Sequence, residues 1–259
     1  MTFILKYTDS YDNFNSFKVY MLLKSLILTS VGLLFIADPC FAQSGKPNKY
    51  GIQVESDPKV YRKTVEHQPM HQLMSLPEFI PGIVLDIRYA TSNNFMRQPM
   101  YKEAAAYLRL PAAEALKAVQ ADLKELGLGL KIFDGYRPYA VTVDFYEKVR
   151  DSVFVASPKR GSKHNRGCAV DLTIINLESG KELIMPTPYD DFTPKAHTDY
   201  SDLPEEAIRN RELLKRLMVK HGFDIYADEW WHYDFKDWNE YPLMDISFED
   251  LRRVKRKSP

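Results

Sequence analysis

Cysteine is nearly absent from this chain: its 259 residues hold two, Cys40 and Cys168. Cys40 lies in a stretch with the pattern of a removable leader, so Cys168 is left alone and no internal disulfide is expected. The fold must rely on its apolar core. Net charge is absent as well, because 35 basic groups face 35 acidic ones. No one-signed field advertises nucleic acid or an anionic membrane as a partner, and a small molecule or peptide fits better. No internal repeat or low-complexity tract is present, and the apolar run Ser25–Ala37 falls short of the ~20 residues that span a bilayer. An uncleaved transmembrane anchor is therefore the weaker reading of the N-terminus.

What is present is a globular composition, 45% hydrophobic and 27% charged, able to bury a core. From Met21 a single Lys24 leads into the apolar run, then Asp38-Pro39 and the small-residue pattern Cys40-Phe41-Ala42. This reads as an export signal cut after Ala42, with residues 1–20 as an extension before it and the periplasm as destination. Asp38-Pro39 is a poor approach to a lipidated Cys40. Residues 43–72 are polar, with Pro47, Gly51 and Pro58, and read as a flexible tether. The folded domain is expected over 73–259.

Within it, residues 83–89 form a strand candidate that leads into the polar turn 90–94. The clearest helix pattern covers 111–126, with Pro111 in the first turn, Leu116, Val119, Leu123 and Leu126 as a buried stripe, and Gly127 as the stop. A strand over 130–133 and a helix over 140–150 follow. A long irregular insertion, 176–201, contains Pro186, Pro188 and Pro194, and loops of this length are usually functional. A helix over 204–221 and a hairpin from 223–226 and 231–235 complete the domain. Strands and helices mix without regular alternation, so the expected fold is a single α+β domain with a central antiparallel sheet flanked by helices.

Two stretches carry the chemistry. Ser162-Lys163-His164-Asn165-Arg166-Gly167-Cys168-Ala169-Val170-Asp171 offers an imidazole and a carboxylate, with Gly167 to turn the backbone and the apolar run 172–175 to continue as a buried strand. Glu229-Trp230-Trp231-His232-Tyr233 adds a second imidazole and another carboxylate. Two His and one Asp match the protein ligand count of a catalytic zinc, which keeps one position open for water. Glu229 then becomes the natural general base. On a regular strand residues 229 and 232 point to opposite faces, so Glu229 is expected at a bend just before the strand. The spacing alone leaves ligation by Glu229 open.

Together with Asp134-Gly135-Tyr136-Arg137-Pro138, these motifs resemble the zinc D-alanyl-D-alanine dipeptidases of the VanX type, peptidase family M15, over residues 73–235. The resemblance implies one zinc per chain, bound by His164, Asp171 and His232, with Glu229 as catalytic base and acid. It implies that Arg137 stabilises the transition state and that Tyr89, Ser162 and Asp190 hold the substrate's amino end. The segment Met185-Pro186, ahead of Asp190, departs from the family's usual Met-Gly.

The residues also admit plainer roles. Arg137 could form a structural ion pair, Asp190 could be a solvated loop acid beside Asp191, and Cys168 could be a small buried residue rather than a ligand. Trp230, Trp231 and Tyr233 suit pocket wall or core. Two rival functions remain open: a D,D-carboxypeptidase or endopeptidase of the same fold acting on longer peptidoglycan peptides, and a zinc-containing wall-binding module without catalysis. A binder has no need of the Glu229 base.

Overall fold

The computed structural model describes residues 47–149 and 155–256. The expected extension and leader, residues 1–42, and the start of the tether lie outside them. All described residues belong to one compact unit.

The fold is built on a five-stranded sheet in the order β2-β4-β5-β7-β6, where β2 is Val84–Leu85, β4 Leu128–Asp134, β5 Ala169–Asn176, β6 Phe223–Tyr226 and β7 Glu229–Phe235. A separate antiparallel pair joins β1, Leu73–Ser75, to β3, Tyr107–Arg109. The main sheet is mixed, not the antiparallel sheet expected from the sequence. Its edge strand β2 runs parallel to β4, while the other pairs are antiparallel. The strand expected over 83–89 is cut to two residues because the chain turns at Arg88–Ala90 to bury Tyr89.

Central β5 lies between β4 and β7. Seven of its eight residues are buried, as its unbroken apolar run requires. Helix α3, Leu110–Lys124, lays Ala112, Ala113, Leu116, Val119 and Leu123 against the core. Leu126, expected in that stripe, is instead 58% exposed, because the helix ends at Lys124 and Gly127 takes a left-handed φ of +72°. Helix α4, Tyr139–Val149, and helix α5, Glu205–Lys220, match the periodicity of their segments. A short α2, Leu76–Phe79, and the C-terminal α6, Phe248–Arg256, complete this set.

The described part of the tether expected over 43–72, residues 47–72, carries helix α1, Pro58–His67. The Asp57 side chain accepts from the Lys59 N–H, Pro58 supplies the first turn, and Tyr61 is buried with its hydroxyl accepting from the Leu73 N–H at 2.7 Å. Glu55 also bridges to Met244 in parallel, so tertiary contacts give order to a polar segment. Among the described residues no helix is long and apolar enough to cross a membrane.

Candidate active site

Three neighbouring strands bring the site together in one row. Asp171, third in β5, stands opposite Asp134 of β4 on one side and His232 of β7 on the other. A bulge between Ile132 and Asp134 carries Asp134 to this position. His164 comes from a one-turn 3₁₀ segment, His164–Arg166, that ends at Gly167 with φ +71°. A side chain at Gly167 would be strained, and its Cβ would lie 2.4 Å from Leu73.

Asp171 Oδ1 lies 3.0 Å from His232 Nδ1 and 3.4 Å from His164 Nε2, and the two imidazole nitrogens are 3.2 Å apart. Donors that sit ~2.0–2.1 Å from a tetrahedral ion are ~3.3–3.4 Å from one another. The triangle therefore has the size of one face of such a site. The outer partners fix the ring orientations. His164 Nδ1 donates to the Gly135 carbonyl at 2.7 Å and His232 Nε2 donates to Asp234 Oδ1 at 3.0 Å, which turns Nε2 of the first and Nδ1 of the second inward, where each can serve a metal ion as donor. Lys163 Nζ holds Asp234 at 2.6 Å, and the Tyr189 hydroxyl donates to Asp171 Oδ2 at 2.9 Å. Against the opposing effect of burial, His164 and His232 hold the Asp171 carboxyl far below the usual carboxylate range. This donor set fits a divalent metal.

Glu229 opens β7 rather than preceding it, yet its Oε2 lies 3.8 Å from His232 Nδ1. The register explains this: Tyr226 pairs with Glu229 and Ile225 with Tyr233, so one step on β6 spans four on β7. The irregularity does the work of the expected bend. Burial, helped by the Asp171 charge and opposed by His232, pushes the Glu229 carboxyl up to about 7.

Arg137 is buried, and both its Nε and Nη2 donate to Asp134 Oδ2, at 3.0 and 2.7 Å. The other oxygen of Asp134 accepts from the Tyr101 hydroxyl and the Gly135 N–H. The guanidinium lies over the rings of Phe145 and Tyr89. Arg137 thus has the structural ion pair and a place beside the metal donors at once. Asp190 takes a left-handed φ of +63°. Its Oδ1 accepts from the Tyr89 hydroxyl at 3.0 Å, and its Oδ2 is closed off from solvent without a hydrogen-bond partner. Burial and the Asp171 charge push this carboxyl up to about 8, so it is no solvated loop acid. The Ser162 hydroxyl accepts from the His164 N–H at 3.2 Å.

Each of these sequence-predicted residues lines one cavity of about 410 Å³, shared with Phe95, Phe145, Phe192, Tyr226 and Trp231. Cys168 is buried outside the donor triangle, and burial pushes its thiol up to about 12. His197 points to Asp228 at 4.0 Å, and His221 bonds Asp122, so neither joins the site. The sequence reading missed Asp134, Tyr189 and Asp234 as outer partners. Asp234 had a usable signal, since it lies two residues after His232 and so faces the same side of a strand.

The family model described as D-ala-D-ala dipeptidase, in peptidase family M15, matches residues 70–249. The chain belongs to this family of metallopeptidases. The D-alanyl-D-alanine dipeptidase of Escherichia coli (strain K12) is 31% identical over 177 residues, covering 68% of this chain and 91% of the relative. That of Streptomyces coelicolor is 34% identical over 197 residues, covering 66% and 94%. That of Enterococcus faecalis is 30% identical over 196 residues, covering 67% and 95%. A solved LD-carboxypeptidase, LdcB, has a TM-score of 0.34 at 22% identity over 59% of this chain and 70% of its own, too distant to bear on activity.

Proposed function

We propose that this M15 peptidase hydrolyses D-Ala-D-Ala, or a close D-dipeptide, with zinc held by His164 Nε2, Asp171 Oδ1 and His232 Nδ1. The observation that carries the reading is that one cavity combines the donor triangle, a proton-holding Glu229 and the enclosed, unpartnered oxygen of Asp190. The names of the curated relatives support the choice of substrate.

Two imidazoles and one carboxylate suit zinc and leave room for water and substrate. When bound, zinc polarises the peptide carbonyl and brings the pKa of a water toward ~7. Glu229 takes the proton of the attacking water and hands it to the leaving amine, a double duty suited to a carboxyl near neutrality. With Nε and Nη2 held by Asp134, Arg137 has Nη1 for the oxyanion, and its charge is permanent. Asp190 receives the substrate's free ammonium group, a pairing that returns the carboxyl to its ionised form. The Tyr89 hydroxyl keeps Asp190 in position. Such a site needs an unblocked N-terminus, and Glu229 separates it from a mere zinc-containing binder.

The leader pattern over residues 21–42 extends this proposal to an exported, periplasmic enzyme. The decisive experiment is hydrolysis of free D-Ala-D-Ala by the zinc-loaded protein beside its N-acetylated form. We expect turnover of the first alone. Equal cutting of blocked or longer peptides would replace the dipeptidase with the D,D-carboxypeptidase or endopeptidase reading.

A further inference from the structure

The cavity has a wall that the mechanism above does not use: the turn Ser157–Gly161, just before the His164 loop. This turn is built rather than loose. The N–H groups of Arg160 and Gly161 both donate to the Ser157 carbonyl, at 3.0 and 2.9 Å, and the Tyr139 hydroxyl donates to the Pro158 carbonyl at 2.9 Å. Gly161 has φ +68°, and the place of its missing Cβ lies 2.6 Å from Leu243, so the chain is pressed onto its support there. The backbone of Arg160 is thereby fixed at the cavity rim.

Arg137, Arg160 and Lys163 supply the cavity's Arg and Lys side chains. Arg137 is bound to Asp134 and Lys163 to Asp234, whereas Arg160 has no ion pair among the described residues. It shares the cavity lining with Tyr226, whose ring lies 5.4 Å from that of His232. Burial and Glu229 raise the Tyr226 hydroxyl's pKa, and the charge of Arg160 pulls it back down. Asp190 is bonded to Tyr89, whose ring meets that of Tyr189, and Tyr189 reaches Asp171. One cavity thus holds the metal donors, the Asp190 carboxyl and the unpaired Arg160 guanidinium. A free dipeptide is a zwitterion and calls for both kinds of partner.

We infer that Arg160 is a specificity-determining residue that binds the C-terminal carboxylate of the dipeptide, an inference that rests on the dipeptidase reading. A guanidinium suits this task because its planar fork can hold both carboxylate oxygens. The pairing would make the enzyme select for substrates that end two residues after their ammonium group.

The test compares kcat/KM for D-Ala-D-Ala with that for its C-terminal amide, in the zinc-loaded wild type and in Arg160→Gln. Wild type is expected to favour the acid by about tenfold or more, the range of a charged hydrogen bond, mainly through KM. In Arg160→Gln this preference should shrink at least about fivefold, with Arg160→Lys between the two. Calorimetric binding of both dipeptides to Glu229→Gln, with and without Arg160→Gln, should give the same change in ratio without turnover. An acid-to-amide ratio left unchanged by Arg160→Gln overturns the inference, including the case in which both substrates suffer equally. A wild type that neither binds nor cleaves either dipeptide overturns the dipeptidase reading itself, and Arg160's role with it.

Discussion

His164 Nε2 and His232 Nδ1 face each other across 3.2 Å, while the second nitrogen of each ring already donates to an outer partner. A shared cation would take both inward nitrogens together with Asp171 Oδ1 as donors, and these bonds exist only in the folded chain. Metal should therefore stabilise the fold as well as support catalysis. At a free zinc concentration about 100 times its Kd the gain is ~2.7 kcal/mol, or roughly 5–10 °C in melting temperature for a chain of this size. Scanning fluorimetry with chelator and then with added zinc reads this directly, and His164→Ala should remove the response. A wild-type melting temperature indifferent to both additions would end the metal assignment.

Glu229 is close enough to the donors to raise the question of its role, since Oε2 is 3.8 Å from His232 Nδ1. As a proton carrier it should be dispensable for metal and indispensable for turnover. Glu229→Gln is expected to lower kcat by about 10²- to 10⁴-fold while zinc content stays near one per chain. Metal analysis after dialysis decides the matter, and loss of zinc would make Glu229 a ligand.

The Asp234 carboxylate fixes the ring of His232 and is itself held by Lys163. Asp234→Asn keeps the shape but gives up the negative charge. Affinity for zinc should fall by about 10- to 100-fold, measured by competition with a chromogenic chelator. Unchanged affinity would reduce Asp234 to a packing residue.

The donors were legible in the sequence because their types and the glycine between them carry chemistry at short range. His164, Asp171 and His232 converge in the fold as the two motifs required. The helix over 110–124 was legible from its apolar spacing and its Pro and Gly ends. Strand register was not. The parallel pairing of β2 with β4, the bulge that brings Asp134 opposite Asp171, and the four-for-one step that lets Glu229 face His232 all depend on partners distant in sequence. Helix α1 was missed for a related reason: in its polar stretch Tyr61 is buried only through contact with the rest of the domain. Arg160 drew no notice because an exposed arginine in a turn has no signature until the cavity beside it is known.

The metal-free protein should lose stability as pH rises through neutrality. The carboxyls of Glu229 and Asp190 sit at about 7 and about 8 in the folded chain, raised chiefly by burial, against ~4 when unfolded. Between pH ~4 and ~8 the folded chain keeps protons that the unfolded chain has released, so each rise in pH favours unfolding. His232 acts in the same direction, because Asp234 and Asp171 outweigh its burial and hold it well above its ordinary range. Asp171 and Asp234 are held low, so their opposite effect is confined to pH below ~4. The urea midpoint of chelator-treated protein should therefore fall from about pH 5 to about pH 8, and the double variant Glu229→Gln, Asp190→Asn should flatten the trend. Zinc should counter the loss, because it takes the place of the proton on His232 and binds more tightly as pH rises. A midpoint that climbs with pH in the metal-free protein would show that these carboxyls are ionised and solvated, which is incompatible with the enclosed site described above.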